Sequence, residues 1–337
     1  MKNYIFDDVI LLDVDLSLFG EPNTNTTESE GLSEEMKIYY SDYLIDMAEP
    51  KLVHDQFAQK HPIPENGGKT IQFRKYSPLP NLFDTPLQEG KTPTGQSLSM
   101  SVVEATVQQY GGYIELSDML LMTAIDNNLV QATKLLGAQA GRTLDTVTRE
   151  VLAGTKSVQW AENQVKNRSL LVGGAADGNH YLTVNAIRMA VRTLKNQNAE
   201  KINGNYVAII HPNCTYDLMN DPKWQYPHQY VDTKEIYEGE IGKIEGVRFV
   251  ETTEAKVYEG AGKDGRNVYS TLVLGDNAYG TTDISGGGLQ HIIKQLGSGG
   301  TADPLNQRAT AGWKATKAAV LLVESYMVSI ETTASAD

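Results

Sequence analysis

The 337-residue sequence contains a single cysteine, Cys214. That excludes an intrachain disulfide and a thiolate cluster for zinc or iron–sulfur, so stability has to come from packing and association; Cys214 itself reads as a small buried apolar residue. Also missing is any run near the roughly 20 apolar residues needed to span a bilayer. The apolar start around Ile10, Leu11 and Leu12 is interrupted by Asp7, Asp8, Asp13 and Asp15, and the expectation is a soluble chain without signal peptide, anchor or membrane partner. Basic side chains are in deficit, with 29 Lys and Arg against 42 Asp and Glu for a net charge of -13. Phosphate backbones repel such a chain, which argues against a DNA-reading protein.

Catalytic and ligand signatures are equally scarce. No Gly-x-Ser-x-Gly elbow occurs. The 6 histidines (His54, His61, His180, His211, His228, His291) never fall at metal-ligand spacing. Gly67-Gly68-Lys69-Thr70 resembles the end of a phosphate loop, but Ile63 stands where that loop needs glycine and Thr70 opens a strand rather than a helix. Gly260-Ala261-Gly262-Lys263-Asp264-Gly265 has the letters of a dinucleotide fingerprint, yet a strand pattern follows it, so a loop between strands is the simpler reading. No catalytic residue, metal site or cofactor is expected. Trp224, Tyr226, Pro227, His228 and Tyr230 read as a packed or interface loop.

What is present is a succession of modules. The length suffices for two or three cores. Residues 1–35 hold Asp7, Asp8, Asp13, Asp15, Glu21, Glu28, Glu30, Glu34 and Glu35 against Lys2 alone, which gives -8 of the total -13. An amphipathic pattern over 36–59 predicts two short helices or an arm with helical turns. Residues 70–76 and 97–109 read as the strands of a long hairpin, the second roughly 40 Å long and ending before Gly111-Gly112, with a Pro- and Gly-rich tip between them. A two-stranded ribbon is marginal in water, so it calls for a second surface. From Ser117-Asp118 onward, Ile125, Leu129, Ala132, Leu136, Ala140, Leu144, Val147 and Val151 trace one face of a long helix. Thr183 caps a helix with Val184, Ile187, Val191 and Leu194 inward and Arg188, Arg192 and Lys195 outward. Residues 206–210 form an uninterrupted apolar strand, most simply a central one, and a short helix over 213–219 and short strands around 247–252, 255–258 and 269–274 complete an α/β module. Residues 318–330 read as a final long strand.

This order, together with longer matching words, resembles one family. The words are HDQFAQK at 54–60, NGGKTIQFRKYSPL at 66–79, YIELSD at 113–118, LDTVTR at 144–149 and the stretch 303–331, and they are similar to the major capsid protein family of podovirus-like tailed bacteriophages. The resemblance covers about residues 36–332; the acidic extension 1–35 and the stretch 224–237 fall outside the family pattern. It implies an α+β chain of the Hong Kong 97 type, with an N-terminal arm over 1–59, an extended hairpin loop over 60–112, a peripheral domain with a spine helix over 113–175, an axial domain over 176–290 and return strands of the peripheral domain over 291–337.

The resemblance further implies a non-enzymatic virion shell subunit, assembled in the host cytoplasm into hexamers and pentamers around packaged DNA that it encloses without sequence-specific binding. Portal, scaffolding and cement proteins are the implied further partners. Some shells of this type join neighbours through a Lys–Asn isopeptide, for which Lys91 at the hairpin tip and Asn306 in the final segment are the candidates. Two rival readings are an encapsulin-like compartment and a non-shell α/β binding protein.

Overall fold

A computed structural model of the chain describes residues 53–82, 86–87, 89–92, 95–123, 128–163, 165–173, 180–228, 240–284, 287–298 and 304–335. The acidic extension and most of the amphipathic stretch 36–59 lie outside these residues. In chain order the elements are β1 (Gln59–Lys60), β2 (Thr70–Tyr76), β3 (Met100–Thr106), β4 (Gln108–Ser117), α1 (Asp118–Thr123), α2 (Asn128–Ala153), β5 (Val158–Trp160), α3 (Val184–Asn196), β6 (Tyr206–Ile210), α4 (Pro212–Asn220), α5 (Pro222–His228), β7 (Glu240–Ile244), β8 (Val247–Glu251), β9 (Val257–Tyr258), β10 (Val268–Leu274), β11 (Tyr279–Thr282), β12 (Gln290–Lys294), β13 (Arg308–Leu321) and β14 (Met327–Thr332). The mixed α+β class is as expected. None of the described helices is long and apolar enough to cross a membrane.

A five-stranded sheet is organised by β13, whose 14 residues pair with β4 and β12 over the first part and with β11 over the last. The 26-residue α2, about 39 Å long, lies on one face of this sheet. Leu136, Ala140 and Leu144 pack there against Ala311, Trp313 and Ala315, and Trp313 Nε1 donates to Gln139 Oε1 at 3.0 Å. The entry of the short α1 is capped locally: the Asp118 carboxylate accepts from Met119 N at 2.7 Å and Ser117 Oγ from Leu120 N at 3.3 Å.

Gly111-Gly112 does not lie beyond the end of the strand, as expected, but inside β4. The two glycines are there for close approach. A Cβ on Gly111 would stand 2.7 Å from the Trp313 carbonyl, and one on Gly112 2.7 Å from Gln139 Oε1. The expected single strand over 97–109 is correspondingly split. β3 pairs with β2 through Thr106; Val107, buried, bonds the Lys69 carbonyl at 2.8 Å; and β4 then pairs with β13. The ribbon proper is 7 residues long, about 23 Å, rather than 40 Å.

The seven-stranded sheet runs β5-β14-β10-β6-β8-β7, with β9 beside β10. β6 is wholly buried because it sits between β10 and β8 with both faces covered. Tyr206, Ala208 and Ile210 face a core that includes α3 and Cys214, whereas Val207 and Ile209 face a second core with Phe57, Leu152 and Tyr279. Thr183 caps α3, its Oγ1 accepting from Ala186 N at 3.2 Å, and Val184, Ile187, Val191 and Leu194 are all buried. Trp224 packs edge-on against Phe249 with ring centroids 5.2 Å apart. The segment Lys263–Gly265 is one 3-10 turn leading into β10, a loop between strands as expected.

The stretch 318–330 is not one strand. β13 ends at Leu321, the amides of Leu322 and Val323 both donate to the Ala278 carbonyl, and Glu324–Tyr326 form a 3-10 turn. β14 then enters the seven-stranded sheet between β10 and β5. The final segment 291–337, expected to supply return strands, divides between the two sheets.

Candidate assembly interface

The root of the N-terminal arm is tied down by buried polar groups. The His54 amide donates to Asp145 Oδ1 at 2.8 Å and its ring Nδ1 to Asp145 Oδ2 at 2.6 Å, with both side chains sealed from solvent. Asp55 pairs with Lys317 at 2.8 Å, also largely buried. Tyr279 donates its hydroxyl to the His54 carbonyl. Burial first, then the Asp55 and Asp145 carboxylates, push the Tyr279 phenol well above its ordinary value, so it stays a donor. Beyond this cluster β1 runs parallel to β11, and the amides of His61 and Ile63 bond the carbonyls of Thr281 and Asp283. The arm is thus joined to α2, β11 and β13 before it reaches the ribbon.

The β2–β3 ribbon has two unlike faces. Ile71, Phe73 and Ala105 turn towards Ile63, Val107 and Ala318 at the ribbon base, and His61 packs edge-on to Phe73 at 5.6 Å. The opposite face is polar near the base, where Gln72 Nε2 donates to Glu104 Oε1 at 2.7 Å, and apolar further out. There Tyr76 opposes Met100 and Arg74 opposes Val102. Tyr76, Leu98, Met100 and Val102 are exposed, as are Leu79, Leu82 and Leu87 in the connecting segment, with Leu87 reaching 78 %. Exposed apolar side chains this concentrated, on a ribbon too thin to bury them itself, mark a surface completed by another chain.

A third cluster joins the end of α2 to the seven-stranded sheet. Glu150 binds Lys256 at 2.6 Å and Arg149 at 2.8 Å, while Arg142 reaches Glu254 at 3.1 Å. Burial opposes ionisation of Glu150, but the hydrogen bonds and charges of Lys256 and Arg149 outweigh it and hold the carboxyl below its usual range. Nearby, the buried Glu331 accepts from Arg168 Nε at 2.8 Å and Trp160 Nε1 at 3.0 Å. These bonds brace the frame from which the ribbon projects. No group of His, Cys, Asp and Glu suited to hold a metal occurs among the described residues.

Residues 114–281, which include the end of β4, all of α2 and most of the seven-stranded sheet, match the family model described as phage capsid protein. The chain belongs to the phage capsid protein family. The whole architecture agrees. The cyanophage Pam1 capsid subunit superposes with TM-score 0.62 at 13 % identity, covering 97 % of this chain and 100 % of that one. The capsid of Ralstonia phage GP4 gives 0.61 at 15 % identity over 97 % and 98 %, and the head of Helicobacter pylori bacteriophage KHP40 gives 0.59 at 8 % over 98 % of each. At such identities the likeness establishes the fold, which is the Hong Kong 97 type. No curated protein sequence matches the chain.

In this capsid protein the two crosslink candidates lie in different segments of the chain. Lys91 is exposed in the segment connecting β2 to β3. Asn306, also exposed, takes a left-handed backbone (φ 55°) just before β13 and lies beside Gly297. The His54–Asp145 pair, by contrast, was not singled out from the residues. Its signal lay in Asp145 itself, a charged residue next to Leu144 on the apolar face of a helix, and in both partners falling within the words shared with the family.

Proposed function

We propose that the chain is the major subunit of an icosahedral shell, self-assembling into hexamers and pentamers around packaged double-stranded DNA, in a purely structural role. The observation that carries this reading is the exposed apolar outer half of the β2–β3 ribbon on a braced frame of the capsid fold. A neighbouring subunit under that ribbon would bury Tyr76, Leu98, Met100 and Val102 at about 1.5–3 kcal/mol for each large side chain. In this reading α2 serves as the spine, residues 60–112 as the overlapping loop and the seven-stranded sheet as the axial module, with β14 returned to it. The net charge of -13 supports a lining that encloses DNA without gripping it. Portal, scaffolding and cement proteins enter as further partners on the strength of the resemblance.

Negative-stain microscopy of the expressed chain tests the proposal: closed particles, sheets or hexamers are expected, and a field of single small subunits refutes it. Lys91 and Asn306 are both accessible for an intersubunit isopeptide. A boiled, denatured shell that runs as single chains of 37.0 kDa excludes that bond.

A further inference from the structure

The face of the five-stranded sheet turned away from α2 carries an open groove of about 510 Å³. Its middle row is Tyr113, Gly312 and Ile292, side by side on β4, β13 and β12. The row is close-fitted: a Cβ on Gly312 would stand 2.9 Å from the Tyr113 Cβ. Tyr113 is nevertheless 70 % exposed and Ile292 38 %. The rows on either side bring Lys294 and Glu115 beside Thr310, and Lys314 beside Gly111 and Gln290. Arg308 adds a further positive charge, 3.9 Å from Glu115. In a chain of net charge -13, this face thus sets, among the described residues, three bases against one acid around an exposed apolar floor.

We propose that this groove receives the acidic segment 1–35 of a neighbouring copy; the inference rests on the shell reading above. The segment matches the groove in two independent respects. Its charge of -8, from nine acids and Lys2, is opposite to that of the rim. Between residues 12 and 18 it alternates Leu12, Val14, Leu16 and Leu18 with Asp13, Asp15 and Ser17, a period of two that gives an extended chain one aliphatic side for Tyr113 and Ile292. The long Lys294 and Lys314 side chains can then reach carboxylates at the segment's edges. Residues 36–52 supply a tether of up to about 60 Å from the fixed arm root, enough to cross to another subunit. Exposed ion pairs are individually weak and screened by salt, so the aliphatic contacts hold the segment and the charges select it.

The test uses particles assembled from equal amounts of 15N-labelled and unlabelled full-length chains, coupled with a zero-length carbodiimide and digested for mass spectrometry. The expected result is coupling of Lys294 or Lys314 to carboxylates within residues 1–35, about half of it in mixed-isotope pairs. Particles in which these lysines couple only elsewhere, or only within one isotope, overturn the docking and leave the shell reading intact. Lysines that lose the coupling when the particles hold DNA also overturn it, in favour of a phosphate-binding face. A chain that stays monomeric overturns both. As a second readout, Lys294→Glu with Lys314→Glu is expected to speed protease cleavage within residues 1–35 of assembled particles at least tenfold; an unchanged rate contradicts the proposal.

Discussion

His54 and Asp145 stand 91 positions apart and meet through two hydrogen bonds, one from the amide at 2.8 Å and one from the ring at 2.6 Å, where solvent does not reach. The bond joins the root of the arm to the middle of α2. Asp145→Ala leaves a buried amide and a buried ring nitrogen unpaired, and the expected cost is about 3 kcal/mol. Asp145→Asn, which keeps one acceptor oxygen, costs less. Urea denaturation of both variants measures the difference, and amide exchange at His61 and Ile63 should accelerate first because β1 follows the pair directly.

Leu98→Asp combined with Met100→Asp alters side chains that are 72 % and 48 % exposed. Subunit stability should stay within about 0.5 kcal/mol of the parent, while particle formation is lost because charges then face the neighbour's surface. Circular dichroism melts and electron microscopy of the same preparation separate the two effects. A variant that assembles normally removes the ribbon from the interface.

Gly312→Ala should cost about 1–3 kcal/mol, since its Cβ would meet Tyr113 Cβ at 2.9 Å and the Gly112 carbonyl at 3.0 Å, and both positions are held by strand pairing. Gly95→Ala, with open space around it and no left-handed backbone, should be neutral or stabilising by a few tenths of a kcal/mol. Denaturant midpoints of the two variants check the contrast.

Acidification should weaken the seven-stranded module before carboxylates titrate. Burial pushes the imidazole of His180 below its ordinary value of 6.5, and does the same to His291 on β12 of the five-stranded sheet. His180 accepts a hydrogen bond from the Val172 amide at 2.9 Å through Nδ1, an acceptor that a proton would abolish. A folded-state value below the unfolded one means that the unfolded chain binds protons first. The contribution is therefore complete above about 6.5 and is lost as pH falls through the lower folded value. Glu150, also held below its ordinary 4.5, adds a second loss at more acid pH. Thermal melts between pH 7 and 5 should show a decline that His180→Phe flattens.

Much of this architecture could be read from the residues, and its gaps have physical causes. β6 was legible because burial on both faces leaves five consecutive apolar residues, and α3 because Thr183 caps a regular apolar stripe. The division between β3 and β4 was hidden because alternation continues through Val107 while the pairing partner changes from β2 to β13. Gly111-Gly112 resembles a turn locally, and only the carbonyl of Trp313 and the side chain of Gln139 reveal why glycine is needed. The exposed row on the ribbon was foreseeable as a marginal hairpin wanting a partner. The buried pairs that fix the arm join positions far apart in the chain, so no local pattern announces them.

Sedimentation velocity of the full-length chain at micromolar concentration tests the central claim most directly. The account predicts that the bulk of the protein sediments as capsomers or closed particles, many times heavier than a 37.0 kDa subunit. A single boundary at the monomer mass, from protein whose β2 and β3 amides are still protected from exchange, would contradict it.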